Sequence, residues 1–375
     1  MGASQSAPIE TMLQQAAAQF RAGRLTEAEQ LYRQVLTLKP DAADLHAGLA
    51  TILFLQGKTP EAVDAFRRAL ALQPDNSDTL YKLGNLLLRE GAASGSRIEE
   101  SFACFRRHAQ LTFAASGKSA EIAHRLQHDR EQQEYLAQVH GIGSWSFHLA
   151  DGGRVASRSV NGANVERATQ EWNSGKNPRI IVIDNLLSED ALAKLRRYCW
   201  GSTIWRETHS EGYLTAMPEH GLACPLIGQI DEDMRAAYPG ILGAHQLRYL
   251  WAFKYDSRLS GVGAHADPSL VTFNFWITAD DANLDPEHGG LTVWDAAAPA
   301  DWETQRYIGD TQGCRAYLAR LGAKPTTIAY RCNRAVVFSS ELFHETDRMH
   351  FKEGYTNRRI NITMLYGRRR AGASK

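Results

Sequence analysis

From Ile9 to Asn76 the apolar and small residues recur with the spacing of amphipathic helices, and the whole pattern repeats 34 positions further on. Gly23, Gly57 and Gly91 keep that step, as do Pro40 and Pro74, Ala28 and Ala62, and Leu36 and Leu70. Tyr32 and Phe66 match in kind, and so do Val35 and Ala69. Each unit therefore reads as a pair of helices. The glycine takes the tight turn, where a positive φ costs it little. The alanines let the helices cross closely, and the aromatic fills the space beside them. The proline ends the pair because it cannot continue a helix. Repeat one covers residues 9–42 and repeat two residues 43–76. A third begins near Ser77, with Leu83, Gly84 and Leu87 in register. The segment AASGS (92–96) lengthens its turn, so its second helix is expected late, over about 97–110, with Ser101, Phe105 and His108 where Ala, an aromatic and Ala belong. A charged helix over about 119–139 has the polarity expected of a cap on such a stack.

Residues 140–178 lose the helical period and are rich in Gly, Asn and Ser, which predicts a linker with one or two short strands around Trp145–Leu149. From Arg179 the period shifts toward two. RIIVIDNLL reads as a buried strand running into a helix, SEDALAKLRRYCW, with Ser188 as N-cap. LRYLWAFKY, LVTFNFWIT, GGLTVWD, TTIAY, RAVVFSS and RRINITMLYG follow as short strands, interrupted by a helix near 301–322. That series predicts a β-sandwich or barrel with helices outside it.

A length of 375 residues suits two or three domains. Lys+Arg and Asp+Glu both number 42, so the net charge is zero and lends no support to a nucleic-acid or anionic-membrane partner. The longest apolar run, Leu49–Leu55, is far short of the ~20 residues that span a bilayer. The start MGASQSAP has no secretory signature, though Gly2 and Ser6 fit a myristoylation pattern. Five cysteines without a CxxC pair predict a reducing, cytoplasmic setting and exclude zinc ribbons. No P-loop, dinucleotide fingerprint or nucleophile elbow is present.

Candidate chemistry is concentrated in the second half. His265 and Asp267 form an H-x-D triplet just before LVTFNFWIT, and alternate side chains of extended chain share a face. His344 follows at the end of RAVVFSSELFH. Two imidazoles and one carboxylate on one face leave three positions open on an octahedral metal, the arrangement of non-haem Fe(II) sites. Arg359, at the head of RINITMLYG, offers a planar fork suited to a carboxylate, while its neighbour Arg358 points the other way and is expected to be solvated. His245, His288 and His350 lack a carboxylate at matching spacing or sit in turns.

The repeats resemble the tetratricopeptide repeat. The stretch from Arg179 to Arg370 resembles the 2-oxoglutarate and Fe(II)-dependent oxygenases of the prolyl-hydroxylase-like type, carried by Tyr255 ten residues before His265, by GGLTVWD, by NRAVVFSSELFHETD and by RRINIT. The resemblance implies an α+β multidomain chain: repeats with a capping helix over 1–139, a linker over 140–178, and a double-stranded β-helix, or jelly roll, with flanking helices over 179–370. It implies that His265, Asp267 and His344 bind iron and that Arg359 binds the far carboxylate of 2-oxoglutarate. Asn361 is implied as a polar helper, and Thr272, Asn274 and Trp276 as one face lining the pocket together with Tyr255. The implied cofactors are Fe(II), 2-oxoglutarate and O2. The implied activity is hydroxylation of an unactivated C–H, on a protein or peptide delivered by the repeat groove. The alternative is a small-molecule oxygenase whose repeats serve docking or dimerisation.

Overall fold

The helical period of the first third and the alternating period of the last half become two units, which divide between Thr112 and Phe113. The computed structural model describes residues 6–90, 95–114, 122–256 and 259–369. Residues 91–94 of the expected turn, Gly2 of the myristoylation pattern and residue Arg370 lie outside the described residues, while Gly95 and Ser96 already belong to the following helix. Among the described residues no helix is long and apolar enough to cross a membrane.

The first unit consists of helices α1 (Ser6–Arg21), α2 (Leu25–Leu38), α3 (Ala43–Leu55), α4 (Thr59–Leu72), α5 (Ser77–Glu90) and most of α6 (Gly95–Phe113). Gly23 and Gly57 take the turns within the first two pairs at φ of 72° and 77°. Ala28 and Ala62 are fully buried, and Phe66, Leu83 and Leu87 share a core with Leu49 and Leu53. A side chain at Gly48 would stand 2.6 Å from the Tyr32 ring, so the small residue of one helix receives the aromatic of the preceding one. In the third pair Phe105 packs beside Gly84 in the same way, and Ser101 at the alanine place donates its hydroxyl to Gly84 O at 2.7 Å.

The second unit is built from two antiparallel sheets. The larger contains β1 (Ile180–Ile183), β2 (Glu207–His209), β3 (Tyr213–Ala216), β4 (Leu247–Tyr255), β5 (Val271–Trp276), β8 (Ala335–Ser339) and β10 (Ile360–Tyr366), in the order β1-β8-β5-β10-β4-β3-β2. The smaller has the order β7-β6-β9, from β6 (Leu291–Ala297), β7 (Pro325–Ile328) and β9 (Leu342–Thr346). Trp276, Val336 and Phe338 of the large sheet meet Leu291, Val293 and Leu342 of the small one in a shared core. Helices α7 (Ala123–His140), α8 (Val165–Asn173), α9 (Glu189–Gly201), α10 (Pro225–Ala237), α11 (Pro239–Leu242), α12 (Thr304–Gly309) and α13 (Thr311–Leu321) flank them. Ser188 caps α9 by accepting from Ala191 N–H.

Several elements differ from the reading of the sequence. Trp145–Leu149 forms no strand, and α8 with buried Ala168 and Trp172 occupies the stretch read as linker. The helix read as a cap for the repeats, α7, belongs to the second unit. Its polar residues are buried there with partners: His124 reaches His209 O, Arg125 donates to Trp205 O, and Gln132 donates to Ser202 O and Tyr355 Oη. A helix whose buried polar residues find partners within the protein has the composition of a solvated one, which is why pattern alone misplaced it. Arg358 is also not solvated. Its Nε donates to Glu131 of α7 at 2.7 Å, and both side chains are largely buried.

Because each helix pair packs only on its neighbours, residues 1–112 should fold alone. Circular dichroism of that fragment should show a helical spectrum and a cooperative melt, and Phe66→Ala should destabilise it by roughly 3–5 kcal/mol. A coil spectrum would refute the repeat architecture.

Candidate metal centre

The loop between β4 and β5 carries His265 and Asp267, and β9 carries His344. An isolated bridge ties them together: His265 N–H donates to His344 O at 3.0 Å, and His344 N–H donates to His265 O at 2.8 Å. Asp267 N–H donates to Ser340 O at 2.8 Å, in the turn between β8 and β9. The loop is thus pinned by backbone bonds on both sides of Ala266, and the three side chains converge. One ligand atom from each lies within 4.8 Å of the others.

The orientation of the rings follows from their hydrogen bonds. His265 Nδ1 lies 2.8 Å from Gly263 O and His344 Nδ1 lies 3.0 Å from Leu342 O. A carbonyl only accepts, so each Nδ1 carries a proton, and each Nε2 is left as the ring atom that faces Asp267. His265 Nε2 is 3.9 Å from one carboxylate oxygen, and His344 Nε2 is 3.5 Å from the other. Asp267 is 2% exposed, and Thr272 Oγ1 donates to it at 2.8 Å. Burial raises the Asp267 carboxyl above its ordinary value, against the pull of His265 and Thr272. Burial, with His265 beside it, holds the His344 imidazole well below its ordinary value. Two imidazole nitrogens and one carboxylate oxygen converging within 4.8 Å of one another suit a first-row divalent ion with open coordination positions, so the residues fit Fe(II).

The same side chains line one edge of a cavity whose other lining residues include Tyr255, Asn274, Arg359, Asn361 and Thr363. Arg359 is 1% exposed. Its Nε donates to Gly289 O at 2.6 Å, one terminal nitrogen to Gly290 O at 2.9 Å, and the other to Asn361 Oδ1 at 3.2 Å. The Tyr255 ring lies 4.6 Å from the guanidinium carbon. Among the described residues no carboxylate lies within ion-pair distance of this arginine. The Gly289–Gly290 clamp requires glycine: a side chain at Gly290 would come within 1.9 Å of Ile328 O.

The expected site residues are therefore distributed as follows. His265, Asp267, His344, Tyr255, Asn274, Arg359 and Asn361 all line this cavity. Thr272 and Trp276 do not. Thr272 braces Asp267 from behind, and Trp276 lies in the core between the sheets against Tyr330, its ring 5.6 Å from the Arg359 guanidinium. The sequence reading missed Thr363, which accepts from both Asn274 and Asn361, and Trp251 and Phe253 on the neighbouring strand. The period of two was the available signal. Thr363 is two residues beyond Asn361, and Trp251 and Phe253 alternate with Tyr255 on one face of β4.

Comparison with known proteins bears mainly on the repeats. Residues 13–77 and 49–100 match the tetratricopeptide repeat model. Among solved structures the chain is similar to MamA, with 21% identity and a TM-score of 0.25 over 28% of this chain and 58% of that one. The chain thus spans somewhat over half the length of MamA. It is similar also to the first tetratricopeptide domain of Spaghetti (RPAP3), solved with an HSP90 peptide, at 19% identity and a TM-score of 0.26 over 29% of this chain and 82% of that one. A third similar structure is SnoN, a non-haem alpha-ketoglutarate-dependent epimerase of nogalamycin biosynthesis, with 12% identity and a TM-score of 0.41 over 57% of this chain and 89% of that one. No curated protein sequence matches the chain.

Metal loading tests the triad. His265→Ala or Asp267→Ala should abolish binding of Fe(II), or of Mn(II) as a spin probe. Thr272→Val, which removes only the hydroxyl that braces Asp267, should weaken it by about 10–100-fold. Electron paramagnetic resonance titration reads both, and full loading of the double ligand variant would refute the assignment.

Proposed function

We propose that the protein is an Fe(II)- and 2-oxoglutarate-dependent oxygenase that hydroxylates an unactivated C–H bond of a protein or peptide substrate, docked with the help of the repeat unit. The observation that carries this reading is a single cavity with a divalent-metal triad at one side and a buried, unpaired arginine among its other lining residues. A dicarboxylate fits that pair of features, with one end on the metal and the other answering the guanidinium charge. The two facing antiparallel sheets support reading the second unit as a double-stranded β-helix. The five cysteines, all free, support a cytoplasmic setting.

Bound Fe(II) would supply the activation of O2, and the overall balance is 2-oxoglutarate, O2 and R–H giving succinate, CO2 and R–OH. The protein's own residues do the rest. His265, Asp267 and His344 would hold the metal on one face and leave the opposite face open. Arg359 would give a charge-assisted pair of hydrogen bonds to the distal carboxylate, its orientation fixed in advance by Gly289, Gly290 and Asn361. Asn274, Asn361 and Thr363 offer neutral polar atoms along the cavity, and Asn274 Oδ1 is buried without a partner. Trp251, Phe253, Val262 and Leu291 wall the cavity with apolar surface that keeps water from the reacting centre. The repeat unit would present the substrate, since stacks of helix pairs form extended concave surfaces.

The two adjacent arginines separate function from scaffold. Arg359→Ala should raise the apparent KM for 2-oxoglutarate by about 10–100-fold, since each ~1.4 kcal/mol lost is a factor of ten, with metal loading retained. Arg358→Ala should leave that KM unchanged and instead lower the melting temperature, because the partly buried Glu131 loses its ion-pair partner and keeps the hydrogen bond from Gln127. Succinate formation and thermal denaturation of both variants decide the matter. Equal effects on KM would show that Arg359 does not grip the co-substrate.

A further inference from the structure

A second, larger cavity adjoins the first at the triad: His265 and Asp267 line it as well, and it shares Trp251, Phe253 and Val262 with the first. Its main wall is one face of the sheet's edge. Glu207 and His209 on β2, Tyr213 and Thr215 on β3, and Trp251 and Phe253 on β4 all point into it, as alternation along paired strands requires. Ile308, Gly309 and Thr311, at the junction of α12 and α13, form the facing side.

The chemistry of this wall is one-sided. Tyr213 meets Phe253 edge-on at 5.4 Å, and Trp251 continues the aromatic row at 6.4 Å from Phe253. Two carboxylates, Glu207 and Glu211, flank that row, while among the described residues no lysine or arginine lines the cavity. Glu207 is half-buried, yet its closest basic atoms are His209 Nε2 and His220 Nε2, each 3.9 Å away. His209 is engaged elsewhere: the ring stacks on Tyr213 at 4.2 Å, its Nε2 is 2.9 Å from Thr215 Oγ1, and burial holds it below its ordinary pKa. Burial, reinforced by Glu219, raises the Glu207 carboxyl above its ordinary value. Aromatic faces and carboxylates attract the same kind of ligand, a cation on an apolar stem.

We infer that the group presented to this site is a cationic side chain, an amine or guanidinium on an aliphatic stem, seated between the Trp251–Phe253–Tyr213 row and the carboxylates of Glu207 and Glu211. This rests on the oxygenase reading, which makes the metal edge of the cavity the place of reaction. It adds to that reading the class of residue selected, a lysine or arginine of a peptide, over neutral or acidic ones.

The test uses the full chain and four labelled peptides of one glycine–serine sequence that differ only in a central Lys, Arg, Gln or Glu. Fluorescence polarisation gives affinities, and the Mn(II) signal of the same samples reports the triad. The Lys and Arg peptides should bind at least about tenfold tighter than the Gln peptide, with the Glu peptide weakest. Glu207→Gln/Glu211→Gln should bring the cationic peptides down to the Gln value. Glu207→Lys/Glu211→Lys should turn the preference toward the Glu peptide, a gain that no misfolded chain could produce. Equal affinities for all four peptides, or a cation preference that survives both double variants, would overturn the inference. Mn(II) loading without cation preference sinks this inference alone. Cation preference in a chain that binds no Mn(II) upholds the charge selectivity and sinks the oxygenase reading beneath it.

Discussion

A full positive charge is sealed inside the second unit with no carboxylate among the described residues at ion-pair distance. Arg359 uses three of its five N–H donors on two backbone carbonyls and an amide oxygen, which fix its orientation and leave its charge unanswered. Burying an uncompensated ion costs several kcal/mol, so such a residue is tolerated only where something else repays it. Much of the local architecture serves to hold it. The glycine pair lets β6 approach β7 closely enough for its carbonyls to face the guanidinium, and the Tyr255 ring lies against it. Asp267 is the mirror case, a buried carboxyl whose neighbours are two imidazoles and a hydroxyl. On the proposed function, a divalent metal would answer Asp267 and the far end of a dicarboxylate would answer Arg359.

Strand β10 sets the spacing between these two deficits. It lies at the middle of the large sheet, paired with β5 on one side and β4 on the other. Its register places Asn361 opposite Trp276 and Phe253, and Thr363 opposite Asn274 and Trp251. A shift by one residue would turn Asn361 and Thr363 away from the cavity and bring Ile360 and Ile362 into it. The register is fixed because both faces of β10 are buried, so no slipped pairing keeps the apolar residues in the core. Just ahead of the strand, Arg358 and Arg359 diverge, one into the ion pair with α7 and the other into the cavity.

How much of this the sequence carried depends on the range of the interaction concerned. The 34-residue period was legible because each repeat packs on its immediate neighbours and writes the same demands into each copy. His265 and Asp267 were legible because two residues of spacing put both on one face, and Arg359 because it heads an alternating strand. Thr272 and Trp276 were placed on the right strand, but one supports the carboxylate and the other fills the inter-sheet core. Period two fixes a face and not what the face meets. The role of α7 was not legible at all: its polar residues read as a solvated cap, and the backbone carbonyls that accept from Arg125 and Gln132 lie 80 and 70 positions away in sequence. The β2–β3 hairpin, which supplies Glu207 and Tyr213, was missed because its strands of three and four residues are too short to show a period.

The central claim is that one cavity holds the metal and the distal carboxylate together. Diffraction at the iron absorption edge, from crystals grown anaerobically with Fe(II) and 2-oxoglutarate, tests it most directly. The account predicts one anomalous peak within bonding distance of His265 Nε2, His344 Nε2 and an Asp267 oxygen, with density for a dicarboxylate that runs from the peak to the Arg359 guanidinium. Iron bound elsewhere, or a dicarboxylate that leaves Arg359 on Gly289 and Gly290 alone, would contradict it.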